Sequence, residues 1–203
     1  MPDPIQKPER LNGAGAKVIH LAPRTYSPVA QALHWVTVAF VFMLVPVGLY
    51  MSYRGNELNI WDATTNGLYS AHKLGGFLVL LIVIGRLVYR FQNPPPADEP
   101  TLEPWQRMAS HATHWSLYGL LILVPLMGWI GISLYGARSI FGLFDLPALW
   151  SVNQEASKTA FLLHDILGKI MGLLIAVHIA AALYHHFHRK DNVLRRMLPP
   201  KKG

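Results

Sequence analysis

The chain has 203 residues, of which 52% are hydrophobic and only 14% charged, with a formal net charge of +7 and no cysteine. Soluble domains carry roughly 25% charged residues, so this balance points away from an ordinary soluble fold, and the length suits one domain. The missing cysteine excludes disulfides, cysteine-held iron–sulfur clusters and thioether-linked haem. The basic residues flank apolar stretches instead of forming a stripe with interleaved aromatics, so nucleic acid is not the expected partner.

Residues 1–25 carry Lys7, Arg10, Lys17, His20 and Arg24 without an apolar run. They are expected to be a tail with no cleavable signal, leaving the first span to act as the insertion signal. Four apolar stretches follow, near 29–53, 68–89, 111–134 and 159–187, and each has the length needed to cross the hydrocarbon. Pro46 and Pro125 fall inside spans, where neighbouring helices can satisfy the carbonyls they free. The joint NPPPADEPTLEP between the second and third spans cannot be helical throughout. Between the third and fourth, residues 135–158 include IFGLFDLPALW, read as an amphipathic segment on the outer face of the bundle, either a surface anchor or a lid. The expected fold is an all-α membrane protein: a four-helix transmembrane domain over 26–190 and a basic tail over 191–203.

Orientation follows from the excess of Lys and Arg on cytoplasmic segments. Twelve such residues lie in the two tails and the loop after span two, against Arg54, Arg138 and Lys158 in the other two loops. Both termini are therefore expected in the cytoplasm.

Ionisable residues inside spans are costly and mark function. His164 and His178 on span four are 14 residues apart, about 21 Å along the axis and within roughly 40° of one face. His34 starts span one at the level of His178, and His72 starts span two at the level of His164. Four histidines thus sort into two pairs at two depths. Two ligands per pair suit axial ligation of a haem iron, whereas structural zinc wants four ligands together. The expected cofactors are two haems b, an inner one held by His34 and His178 and an outer one by His72 and His164. Gly75, Gly76, Gly168 and Gly172, close to the ligands, would leave room for a macrocycle. His114 is a second candidate for the inner position. Arg86 lies 14 residues after His72, near the inner pair, where its guanidinium either holds a haem propionate or snorkels to the interface. His185 follows His178 on the same face and could bond a quinone headgroup. His186 and His188 are expected at the solvated interface.

The stretches YSPVAQALHW, HKLGG…GRLVYRF, HDILGK…VHIAAALYHH and KDNVLRRMLP, which together span Tyr26 to Pro200, resemble the bacterial cytochrome b561 family, grouped with the cytochrome b subunits of nickel–iron hydrogenases. The resemblance implies the same four haem ligands, His185 on the quinone side, and ubiquinone as diffusible acceptor. Its most similar members are superoxide oxidases, which implies superoxide as the outer electron donor. Lys73, Arg138 and Lys158 could guide that anion to the outer haem, or such charges could pair with nearby carboxylates. No general acid, nucleophile or open metal site is needed for outer-sphere electron transfer. The other reading is an anchor subunit relaying electrons between a periplasmic partner and quinone.

Overall fold

A computed structural model describes residues 25–199, so Lys7, Arg10, Lys17, His20, Arg24, Lys201 and Lys202 lie outside the described residues. Four long helices alternate in direction: α1 (Pro28–Ser52), α2 (Ala63–Gln92), α3 (Pro104–Tyr135) and α4 (Gln154–Tyr184). All four are long and apolar enough to cross a membrane, and side chains such as Phe42 and Leu173 point outward, as a lipid-facing surface requires.

Each helix begins several residues from the edge of its apolar run or at its margin, because polar caps decide where a helix starts. Ser27 Oγ accepts from Ala30 N ahead of Pro28. Asp62 Oδ1 accepts from Thr65 N at 2.8 Å, which starts α2 at Ala63, ahead of the expected 68. Glu103 and Gln106 form a capping box at α3, which therefore opens at Pro104 instead of near 111. Asn153 caps α4 in the same way. Two helix ends widen into π-helical turns, Tyr53–Glu57 after α1 and His185–Arg189 after α4.

Asp62 also receives Arg54 Nη2 at 2.6 Å. The Thr65 N–H, and then the Arg54 guanidinium, hold its carboxyl below the usual carboxylate range. A depressed value means the stabilisation is complete at neutral pH and is lost as pH falls through it, below about 4. Thermal melts between pH 7 and 3 should show an acid-side loss of stability that shrinks in Asp62→Asn. An identical pH profile for the variant would remove Asp62 from that loss.

α1 packs against α2, α2 against α3 and α3 against α4, whereas α4 makes few close backbone approaches to α1 or α2. The core is a mid-bundle cluster of Val41, Leu44, Val79, Val83, Leu121, Val124 and Met171. Met171 stands seven residues from both His164 and His178, so this apolar layer divides the bundle into two levels.

The segment 135–158, expected as an amphipathic segment on one face of the bundle, takes the form of a docked hairpin. Gly136, at φ +90°, ends α3, and a short antiparallel hairpin follows, β1 (Ser139–Ile140) with β2 (Phe144–Asp145). Ile140 is fully buried beneath it. Phe141 N donates to Ser70 Oγ, Leu149 N to Ser133 Oγ and Trp129 Nε1 to the Pro147 carbonyl, which clamps the hairpin on the bundle. Residues 191–199 do not hang free either. Gln31 Nε2 donates to the Arg196 and Leu198 carbonyls, and Trp35 Nε1 to the Met197 carbonyl at 2.8 Å. Arg196 reaches Glu99 and the Ala97 carbonyl in the loop before α3.

Candidate haem-binding site

The two histidine pairs meet as the helix register requires. His72 on α2 faces His164 on α4 with ring centroids 6.0 Å apart. His34 on α1 faces His178 on α4 at 6.5 Å. Two imidazoles sharing one metal through bonds of about 2 Å would place their centroids about 6 to 6.5 Å apart. Among the described residues no three or more His, Asp or Glu side chains converge into a metal cage. The donor chemistry is that of a two-imidazole axial site.

At the hairpin end, each ring nitrogen has a defined role. His72 Nδ1 donates to the Leu44 carbonyl at 3.1 Å, and His164 Nδ1 donates to the Val124 carbonyl at 2.8 Å. A carbonyl can only accept, so each Nδ1 carries the proton and each Nε2 keeps its lone pair for a metal. The rings lie on Gly48 and Gly128: a Cβ there would stand 2.8 Å from His72 Cε1 and 3.0 Å from His164 Nδ1. Gly48 and Gly128 were not apparent as site residues in the sequence. Their signal is that each falls four residues after the accepting carbonyl in a Pro-containing helix, VPVG and VPLMG.

A cavity of about 1850 Å³ opens between these helices and is lined by His72, His164, Gly76, Gly168, Gly172 and Met171. A Cβ at Gly76, Gly168 or Gly172 would meet nothing within 4 Å, so these three do leave space. Gly75 does not: its Cβ would press on Leu44 Cδ2 at 2.7 Å, so that glycine serves the α1–α2 contact. A planar macrocycle fits the hairpin-end level on these grounds.

The terminus-end level is built differently. Arg86 Nη2 approaches His34 Nδ1 at 3.3 Å and its guanidinium lies over the Tyr118 ring. Among the described residues no carboxylate pairs with this half-buried cation. His178 has no hydrogen-bond partner at its ring nitrogens among the described residues. His114 lies 5.4 Å from His178, nearer than the 6.5 Å between His34 and His178, so three imidazoles gather at this level. His111 is drawn outward to Asp98 at 3.1 Å.

Beyond that level, His185 is buried and donates from Nδ1 to Asp191 Oδ2 at 2.6 Å. Arg189 Nε lies 3.7 Å from the same carboxylate oxygen. Asp191 escaped the sequence reading because it was assigned to the tail. His188 is exposed as expected, but His186 is only half-exposed and its Nδ1 is buried without a partner.

The candidate anion-guiding residues separate at the hairpin end. Lys158 pairs with Glu155 at 2.7 Å, and Arg138 donates to the Leu146 carbonyl and lies 3.5 Å from Asp145. Lys73 Nζ instead donates to the neutral carbonyls of Ala137 and Ser139 beside the cavity.

Comparison with known proteins agrees with this architecture. Residues 25–200 match the family model described as Prokaryotic cytochrome b561. Cytochrome b561 homolog 2 of Escherichia coli K12 is 32% identical over 177 residues, covering 87% of this chain and 92% of the relative. Cytochrome b561 homolog 1 of the same organism is 30% identical over 182 residues, covering 87% and 98%. A protein named probable superoxide oxidase CybB, from Yersinia pestis, is 26% identical over 181 residues, covering 89% and 99%. The chain belongs to the prokaryotic cytochrome b561 family, integral membrane proteins that transfer electrons on haem b.

Proposed function

We propose that this protein is a superoxide:ubiquinone oxidoreductase of the bacterial inner membrane, with both termini in the cytoplasm. The observation that carries the reading is the pairing of four half-buried histidines at two levels, one beside a wide cavity at the hairpin end and one toward the chain termini. His72 with His164 holds an outer haem b, and His34 with His178 an inner one. When bound, these groups supply one-electron carriers at two depths.

The overall reaction balances simply. Two superoxide anions each give up one electron and leave as dioxygen, while one ubiquinone takes up two electrons and two protons to become ubiquinol. No bond to superoxide has to form. Lys73 stands beside the outer cavity with neutral carbonyls as its hydrogen-bond partners and Asp145 within electrostatic reach, and the share of its charge that Asp145 leaves can draw the anion in. Arg138 and Lys158 are partly compensated by carboxylates and contribute less. Met171 and the apolar layer around it keep water out between the levels. At the inner end Arg86 is placed for a propionate. His185, fixed through Nδ1 by Asp191, turns its Nε2 lone pair to the quinone site, where it can accept the O–H of the ubiquinol that forms.

A second reading is favoured by one observation. Leu143 is 81% exposed at the hairpin tip, with Phe144 and Trp150 also exposed, and such an apolar patch suits a periplasmic redox partner for which this chain would be the quinone-side relay.

The deciding experiment is an optical spectrum of purified oxidised protein given a superoxide-generating system, with and without ubiquinone. Prompt appearance of the reduced b-type bands, reversed by ubiquinone, is expected. Bands that superoxide leaves unchanged would leave only the relay reading.

A further inference from the structure

The two levels differ in one respect that bears on the direction of electron flow. Both outer imidazoles donate from Nδ1 to backbone carbonyls, Leu44 for His72 and Val124 for His164. Neither inner imidazole does: His34 Nδ1 faces the Arg86 guanidinium at 3.3 Å, and His178 has no hydrogen-bond partner at its ring nitrogens among the described residues. A hydrogen bond from Nδ1–H to an oxygen makes the imidazole a stronger donor through Nε2. Stronger donation favours the oxidised iron and lowers the reduction potential. A nearby guanidinium does the opposite, since positive charge favours the reduced, less positive metal.

Resting on the two-haem reading, we infer that Gly48 and Gly128 are positioning residues that build a redox slope into the fold, making the outer site the lower-potential one and the inner site the higher. The glycines matter because the accepting carbonyls lie one helical turn before them and the rings sit directly on their Cα atoms. A Cβ at 2.8 Å from His72 or 3.0 Å from His164 would push the ring off its carbonyl. The slope runs from the cavity toward His185, so an electron entering at the hairpin end moves downhill to the quinone end. The sequence repeats the device on α1 and α3, against partners from α2 and α4, while the inner level has no counterpart.

The test is potentiometric titration of purified full-length protein, followed optically, on wild type and on His164→Ala, Gly48→Ala and Gly128→Ala. Two one-electron components are expected, and the one missing in His164→Ala should be the lower. In each glycine variant that component should move to higher potential and its low-spin ferric EPR signal should shift with the ring, while the other component stays in place. If the component lost in His164→Ala is the higher one, the slope is overturned, and this needs no glycine variant to fold. Equal movement of both components in the glycine variants would also overturn the positioning role. Haem stoichiometry on the same samples separates these results from failure of the reading beneath: one haem per chain overturns both. Superoxide reactivity plays no part in the titration, so a protein inert to superoxide could still show the slope.

Discussion

His164→Ala should purify with about half the wild-type haem, losing the outer group and keeping the inner one, and His178→Ala should do the reverse. The pairs are joined through one helix but separated by the apolar layer around Met171, seven residues from each histidine, so each level should gain or lose its group independently. An alanine in place of either ligand removes one of two iron bonds and leaves the remaining imidazole facing an open position. Electron transfer across the bilayer should fall at least a hundredfold in both variants, because each leaves only one carrier for the full span. Haem-to-protein ratio, reduced-minus-oxidised spectra and superoxide-driven quinone reduction check the three parts. Equal loss of both haems from a protein that still folds would argue against separate pairs, and full retention of the inner haem in His34→Ala would transfer the role of His34 to His114, the imidazole beside His178.

Arg86→Gln should lower the potential of the inner haem and weaken its retention. Arg86 is a half-buried cation with a histidine and an aromatic face as neighbours, and a charge in such a setting is tolerated where an anion completes it. In the two-haem reading a haem propionate would be that anion. A unit charge at roughly 10 Å in an effective dielectric of about 20 contributes about 1.7 kcal/mol, which for a one-electron couple is on the order of 70 mV. Part of that is cancelled by the propionate, so a fall of about 50 mV is expected, with the outer component unmoved. Arg86→Lys should recover most of the potential but not the retention, since an ammonium cannot form the two parallel bonds of a guanidinium. An unchanged inner potential in Arg86→Gln would return Arg86 to the snorkelling role.

The sequence by itself determined the four spans, their alternation and the histidine pairing. Apolar runs of membrane length have few alternatives, and a 14-residue spacing on a regular helix brings two rings to one face. Helix ends were less legible: Asp62 and Glu103 are polar residues outside the apolar runs, yet they start α2 and α3 five to seven residues earlier. The hairpin at 139–145 was hidden because its apolar residues suit a helix face as well as a strand pair. Only the bonds to Ser70, Ser133 and Lys73 from other elements choose between them. The same reason separates Gly75 from Gly76: adjacent in sequence, one is filled by Leu44 and the other faces the cavity. The partner of His185 lay in a segment whose charge suggested a solvated tail, and that segment is docked by Gln31 and Trp35 from the far end of the chain. The carbonyls that fix His72 and His164 belong to α1 and α3, so they came within reach only when the bundle closed. Periodicity within one helix decided which histidines share a face, and contacts between helices decided what stands against each of them.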